Sequence, residues 1–279
     1  MSPLFDFPSQ TEFARLLSRQ PDVDLTRVAL EIAQDAYPSL AFEPTLQWIE
    51  KRAQELGAPL ARARTDRQLL AEFSRCLAGT HGLHGNREAF QRAESSYLHR
   101  VVETGVGIPI SLSLVYMAVA REAGLDLSGI ASPSHFLTRY EAADGPLFLD
   151  AFHAGEVMNH QQALSWLHSL SGLDFDLIER SLNPAGPRDI VMRLLNNLKS
   201  VYVRNQTWEQ AWLVQRRLTA LQPVGYESRR DLALVALKSG RAGQALDGLQ
   251  ECLRLCPADQ RPLLLSHLKA AEKLLASFN

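Results

Sequence analysis

The feature of this sequence that most constrains its fold is a self-similarity in the C-terminal third of the chain. At an offset of 34 residues, apolar, small and proline positions fall on residues of the same kind. The matched pairs are Leu198 with Leu232, Tyr202 with Ala236, Ala211 with Ala245, Leu221 with Leu255, and Pro223 with Pro257. The spacing predicts two copies of a helix-turn-helix unit.

A unit of this length, with a small residue early in its second helix and a proline after it, resembles a tetratricopeptide repeat. Because a stable array usually needs about three repeats, we expect a helix over residues 262–278 to cap the array. Such repeats bury one face and present a concave groove to peptides or partner helices. The alternative is a plain helical hairpin that only packs on the rest of the chain.

Composition excludes several classes of protein. The 279 residues are 46% hydrophobic, which is enough for a large core without disulfides. A formal charge of -2 gives no general attraction for nucleic acid. Three cysteines, an odd and sparse set, are typical of a reducing compartment, and the N-terminus lacks a secretory signal pattern. We therefore expect a cytoplasmic protein.

The N-terminal part of the chain has the pattern of helices separated by breakers. Apolar residues at helical spacing predict helices over 24–36, 44–56 and 66–77, the last opened by a capping box at Thr65–Gln68. Gly57 and Gly79 are the predicted ends of the second and third helices. The apolar run 105–120 is too short to span a bilayer and predicts a buried helix instead.

The pattern changes between residues 105 and 152. A helix over 111–123 is followed by short strand patterns at 127–131, 135–140 and 147–149, with a turn at 141–146. Two prolines and a glycine at 184–187 then predict a boundary. The expected fold class is therefore α+β and mostly helical, with domains at 1–182 and 183–279, the second all-α.

Candidate chemistry lies at the start of the 111–123 helix. Gly107 and Pro109 allow the chain to enter the helix sharply, and Ser111 stands in its first turn near the positive end of the helix dipole. A helix end alone does not bring a hydroxyl near ionisation at neutral pH. Ser111 would need a base within hydrogen-bond reach to act as a nucleophile.

His135 and Asp150 are the candidate base and its orienting carboxylate. If residues 141 and 146 pair across the turn, then 137 faces 150, and 135 faces 152. His135 and Asp150 then share one face of the sheet as diagonal neighbours, about 7 Å apart at the backbone. A register shift of one residue would separate them. In the favourable register, Ser111, His135 and Asp150 match the roles of an acyl-transfer triad.

Each of these residues also has a structural interpretation. Ser111 is in a position where serine caps a helix, and Ser113 competes for any hydroxyl role. His135 fits a half-buried strand residue bonded to a carbonyl. Asp150 fits the start of an Asx turn.

Several short segments of the chain resemble the SirB-type transglutaminase-like proteins of bacteria. These segments are Ser96-Tyr97-Leu98, GIPISLSLVY (107–116), His135-Phe136-Leu137, and Asp150 with Phe152 and His153. The resemblance covers nearly the whole chain. It implies a helical lead-in, a papain-like transglutaminase core with a small antiparallel sheet, and a tetratricopeptide tail. In active members a cysteine opens the core helix, a histidine follows on a strand and an aspartate lies on the next. His135 and Asp150 match the second and third of these.

The chain departs from the pattern of active members at the nucleophile. The family's cysteine falls near residues 109–111, yet no cysteine lies between Cys76 and Cys252. The resemblance therefore implies a divergent or inactive member. We expect a non-enzymatic adaptor or regulator that binds a protein or peptide through its repeats. The alternative is a hydrolase or amidase that uses Ser111, His135 and Asp150.

Other sequence signals predict neither a metal nor a cofactor. Cys76, His81 and His84 lack a fourth ligand at a spacing typical of zinc. The glycines at 105 and 107 lack the third glycine of a dinucleotide-binding loop. The sequence leaves the oligomeric state undetermined.

Overall fold

The computed structural model describes residues 7–277, and most of these are helical. The helices are α1 (Glu12–Leu17), α2 (Leu25–Gln34), α3 (Glu43–Arg62), α4 (Asp66–Ser74), α5 (Leu98–Thr104), α6 (Pro109–Glu122), α7 (His160–Ser171), α8 (Phe175–Ser181), α9 (Pro187–Arg204), α10 (Trp208–Leu221), α11 (Tyr226–Lys238), α12 (Ala242–Leu255) and α13 (Arg261–Ala276). The strands are β1 (His84–Gly85), β2 (Val106–Gly107), β3 (Ser128–Ile130), β4 (Leu137–Ala142), β5 (Gly145–Asp150) and β6 (Glu156–Asn159).

The chain separates into two compact units that divide within α9, between Leu194 and Leu195. The core unit contains residues 20–194. The repeat unit contains residues from 195 onward together with the described residues up to Arg19. The domain boundary expected after Leu182 stays a prediction.

In the core unit, helix α6 is buried along nearly its whole length, as its apolar sequence predicts. Pro109 occupies its first position, where the missing N–H costs no hydrogen bond. Beside the helix, β3, β4, β5 and β6 form an antiparallel sheet in that order. One face of the sheet packs on α7 and α8 through a cluster of buried residues. Its members are Ile130, Leu137, Phe148, Met158, Ala163, Leu167, Ile178 and Leu182.

The register of the central hairpin is the one that the sequence predicts. Glu141 pairs with Pro146 and Thr138 with Leu149 across the β4–β5 turn. The predicted strands at 127–131, 135–140 and 147–149 correspond to β3, β4 and β5, but β4 begins two residues later than predicted, so His135 lies just before the strand. Strand β6 and the two-residue parallel pair of β1 and β2 were not predicted. The α+β class, with a small antiparallel sheet in a mostly helical chain, is confirmed.

Two predicted helix ends are wrong. Helix α3 continues through Gly57 to Arg62, with Pro59 inside it, because Gly57 keeps a helical backbone and the buried Leu56 anchors the helix at this point. The helix that begins at Asp66 does not end cleanly at Gly79. It changes after Ser74 into a π-helical turn, Arg75–Thr80.

The repeat unit has the helical hairpins that the 34-residue offset predicts. Helix α10 packs against α11, α11 against α12 and α12 against α13, and the small residues Ala211 and Ala245 are fully buried. The expected final helix is α13, although Phe278, its last predicted residue, lies outside the described residues. Helix α1 belongs to the same unit, where the Arg217 guanidinium lies 4.6 Å from the Phe13 ring centre.

Among the described residues, no helix combines the length and the apolar character needed to cross a lipid bilayer.

Candidate functional site

His135, which lies just before β4, and Asp150, the last residue of β5, come together although they are fifteen residues apart in sequence. Nε2 of His135 lies 3.0 Å from Oδ1 of Asp150, and both side chains are buried. An ionised carboxylate only accepts hydrogen bonds, so the hydrogen of this pair lies on Nε2. Asp150 therefore holds the His135 ring in one tautomer, as an orienting carboxylate does in a triad.

Asp150 also binds the turn that follows it. Its Oδ1 accepts from the backbone N–H groups of Phe152 and His153, at 3.0 and 3.3 Å. Its Oδ2 accepts from Nδ1 of His153 at 2.7 Å. Burial alone raises the pKa of Asp150, but the hydrogen bonds and charge of His135 and then His153 outweigh it and lower the pKa. The carboxylate is thus held ionised between two imidazoles.

Sequence reasoning did not assign His153 a role in the site. It follows Asp150 by three residues in the 3₁₀ turn Ala151–His153, and Ala154 then turns the chain with a φ of 56°. The Asx interpretation of Asp150 describes this turn correctly. An aspartate that caps such a turn, with histidine three positions later, is the signal that could have identified His153.

Ser111 makes its hydrogen bonds to backbone groups. Its hydroxyl accepts from the N–H of Ile108 at 3.1 Å and lies 2.5 Å from the carbonyl oxygen of Ser95, to which it can donate. The side chain is fully buried. Within the part of the chain that the structure describes, His135 is not among its hydrogen-bond partners. Ser111 is the third residue of α6 and not its N-cap, which is Ile108, so the N-cap interpretation is wrong in its position. The Ser111 hydroxyl accepts from the N-cap N–H and in this way fixes the chain as it enters the helix.

Aromatic rings surround the imidazole of His135. The Trp166 ring lies 4.8 Å from the His135 ring, centre to centre, and the Phe152 ring lies 6.0 Å away, both nearly perpendicular to it. Phe152 also lies against Gly85 of β1, so closely that a Cβ on Gly85 would fall 1.9 Å from the phenyl ring. The bare backbone of Gly85 is therefore required for the position of Phe152.

Tyr116 places a buried hydroxyl near the same carboxylate. Burial raises the pKa of Tyr116, and the negative charge of Asp150 raises it further. The hydroxyl lies next to Gly155, which follows the His153 turn. Among the described residues it has no hydrogen-bond partner.

A second group of side chains, Glu55, Cys76 and His81, lies elsewhere in the core unit. His84, the third residue considered for a metal site in the sequence, instead places Nδ1 2.8 Å from the carbonyl oxygen of Gly82. Nε2 of His81 lies 2.6 Å from Glu55, and Arg52 contacts both of these residues.

The Cys76 thiol does not take the place of the missing nucleophile. Burial raises its pKa, and the charged groups that act on it are Glu55, Arg52 and Arg75. A buried thiol with a raised pKa carries little of the reactive thiolate at neutral pH.

The repeat unit contains a mainly apolar groove of about 290 Å³. Helices α9, α11 and α13 line it, together with the start of α10. Its lining residues are Lys199, Val203, Trp208, Asp231, Leu234, Val235, Leu237, Lys238 and His267. Lys199 and Asp231 form an ion pair of 2.6 Å at this surface.

Comparison with known proteins supports both halves of this description. Residues 43–196 match the family model of the transglutaminase-like superfamily. Residues 198–268 match a tetratricopeptide repeat model, and such repeats generally mediate protein–protein interaction. A search of solved structures finds no significant match.

Relatives cover most of the chain. A UPF0162 protein of Xylella fastidiosa is 31% identical over 245 residues, which are 84% of each chain. The SirB1 protein of Salmonella typhimurium is 23% identical over 233 residues, 83% of this chain and 85% of its own. The F-box only protein 21 of Mus musculus is 32% identical over 142 residues, 48% of this chain and 21% of its own. The resemblance seen in the sequence is confirmed: the chain belongs to the transglutaminase-like superfamily, with tetratricopeptide repeats after the core.

Proposed function

We propose that this protein is a non-enzymatic adaptor or regulator of the cytoplasm, in which a transglutaminase-like core without a nucleophile is joined to repeats that bind a protein partner. The observation that carries the proposal is the position of the Ser111 hydroxyl. A nucleophilic hydroxyl needs a base within hydrogen-bond reach and access to substrate. The Ser111 hydroxyl is instead fully buried and bonded to backbone groups of Ser95 and Ile108.

The groove of the repeat unit supports the binding part of the proposal. Val203, Leu234 and Leu237 are among its apolar lining residues. Lys199 and Lys238 also line it and bring positive charge, while Asp231 is paired with Lys199. This combination suits a peptide or helix with apolar side chains and acidic neighbours.

A labelling experiment tests the absence of catalysis by Ser111. The purified full-length chain is incubated with a serine-directed phosphonate, and its mass is measured. We expect no mass gain at Ser111. A mass gain that Ser111→Ala abolishes, while circular dichroism shows the fold intact, would overturn the adaptor proposal in favour of a Ser111, His135 and Asp150 enzyme.

A complementation experiment tests the groove. Cells that lack the gene receive Val203→Glu, which places a charge on a partly exposed groove residue. The control is Gln250→Glu, which adds the same charge on the exposed side of α12, outside the groove. We expect Val203→Glu to lose the function of the gene and Gln250→Glu to retain it. Retention of the function in Val203→Glu would contradict the binding role of the groove.

A further inference from the structure

His135, Asp150 and His153 bring three possible metal-ligand atoms together at the end of β5. One such atom from each residue lies within 4.8 Å of the other two, and Nε2 of His135 and Nδ1 of His153 lie 3.0 and 2.7 Å from the oxygens of Asp150. Two imidazole nitrogens and one carboxylate oxygen are the usual ligand types of zinc and related divalent transition metals. Magnesium and calcium instead prefer sites built from oxygen ligands.

We propose that His135, Asp150 and His153 form a binding site for one divalent transition-metal ion, with zinc as the best match to the ligand set. The inference does not depend on the adaptor role, because such an ion can stabilise or regulate a binding protein as well as serve chemistry.

The charge of the site favours a cation. Among residues 7–277, the side chains that contact the Asp150 carboxylate are the two imidazoles, and neither Lys nor Arg is among them. Within the same residues its oxygens accept hydrogen bonds from the imidazoles and the backbone alone. A divalent ion would replace two imidazole N–H donors. Each neutral ring can shift its proton to its other nitrogen, so binding requires no loss of protons from neutral histidines.

The surroundings also hold the ligands in place. The N–H groups of Phe152 and His153 fix the Asp150 carboxylate, which is the kind of outer support that metal-ligating carboxylates receive. Trp166 packs against both imidazoles, at 4.8 Å from the His135 ring centre and 5.9 Å from that of His153.

The burial of the three ligands leaves one side of the site open. His135 and Asp150 are buried, whereas the His153 side chain is 51% exposed. An ion can therefore enter from solvent past His153. Three protein ligands leave a further coordination position, which is typical of zinc sites that bind water or another small ligand.

The second cluster of potential ligands in the core unit lacks this charge balance. In the Glu55, Cys76 and His81 group, Arg52 donates to Glu55 at 2.8 Å and lies 3.3 Å from Nδ1 of His81. A guanidinium thus already neutralises the carboxylate and would repel a metal ion. We therefore assign the metal to the His135 cluster alone.

Zinc titration by calorimetry on the metal-stripped full-length chain tests the site. We expect one zinc ion per chain, and at least a tenfold loss of affinity in His153→Gln. This substitution removes an exposed ligand, so the fold should persist, which circular dichroism can verify. The matched control is His160→Gln, since His160 is an exposed histidine that also pairs with a carboxylate, Glu179, at 2.9 Å. The control should bind zinc as the natural chain does.

Cobalt substitution identifies the ligand type. We expect the visible bands of a cobalt ion with nitrogen and oxygen ligands, lost in His153→Gln and kept in Cys76→Ala. A thiolate charge-transfer band that Cys76→Ala abolishes would move the site to the second cluster and overturn the proposal. Unchanged zinc affinity in His153→Gln, equal loss in His160→Gln, or competition by equimolar magnesium would also overturn it. None of these results bears on the phosphonate labelling of Ser111.

Discussion

In the core unit, the His135–Asp150 pair of the expected triad forms, whereas Ser111 does not join it. The imidazole of His135, just before β4, and the carboxylate of Asp150, at the end of β5, meet at 3.0 Å. The hydroxyl, on the first turn of α6, is held by the backbone. The backbone around β4 and β5 thus keeps a histidine and an aspartate in contact. A serine can act as a nucleophile only if its hydroxyl is not already bound by backbone groups. The following predictions test this contrast, beginning with the largest effect.

Replacing Asp150 should cost the most stability. Asp150→Ala leaves two imidazoles and two backbone N–H groups without their common acceptor in a buried site. Removing one partner of a buried charged network typically costs about 3–5 kcal/mol. Urea unfolding measures the loss, with Asp144→Ala, at the exposed hairpin turn, as the control. A cost equal to that of the control would show that the turn holds without the carboxylate.

Gly85→Ala should disturb the packing of Phe152, the ring that lies against His135. The new Cβ would overlap the Phe152 ring, and overpacking of this kind typically costs about 1–3 kcal/mol. The same substitution at Gly57 meets no atom within 4 Å and replaces glycine within a helix, so we expect a gain of about 0.5–1 kcal/mol. We therefore expect Gly85→Ala to lower the free energy of unfolding and Gly57→Ala to raise it. A neutral Gly85→Ala would mean that the Phe152 ring moves freely.

A comparison of Ser111 with Ser113 tests whether the Ser111 hydroxyl has a structural role. Both are buried, but Ser111 bonds to backbone groups, whereas the Ser113 hydroxyl has no partner within residues 7–277. Ser111→Ala should therefore cost about 1 kcal/mol of unfolding free energy, since it removes the hydroxyl's hydrogen bonds to Ser95 and Ile108 while the Ile108 N–H keeps the carbonyl oxygen of Ser95 as an acceptor. Ser113→Ala should be neutral or slightly stabilising. Equal costs would remove the support for a capping role of Ser111.

The smallest expected effect is a difference in reactivity among the three cysteine thiols. It tests whether Cys76 could replace the missing nucleophile. Burial raises the pKa of Cys76 and of Cys252, whereas Cys256 is only partly buried. We expect iodoacetamide at neutral pH to modify Cys256 first and the two buried thiols at least several-fold more slowly. Peptide mass mapping over time measures the order. Rapid modification of Cys76 in the folded chain would show that this thiol is reactive and could serve as a nucleophile in the core unit.

The sequence predicted the contact of His135 with Asp150 because hairpin register is a local property. The turn at 142–145 sets which residues pair, and alternation then sets the face. It did not choose between the two roles of Ser111, because the decisive partner is the carbonyl oxygen of Ser95, sixteen residues away. His153 was missed for a related reason. Its position depends on the left-handed backbone at Ala154 and Gly155, which residue type alone does not reveal at an alanine.

Helix ends were predicted less well, since tertiary packing decides them. Gly57 is an ordinary stop signal, but α3 continues past it because Leu56 is fully buried. In the repeat unit the periodicity was sufficient, because each repeated helix buries the same small and apolar positions, such as Ala211 and Ala245.

The place of helix α1 in the repeat unit affects how the chain matures on the ribosome. Phe13 and Leu16, at most 2% exposed, belong to a compact unit whose other residues begin at Leu195. Synthesis runs from the N-terminus, so these two side chains emerge long before their neighbours exist. Until the residues from Leu195 onward have been synthesised, Phe13 and Leu16 cannot reach the burial that they have in the folded chain.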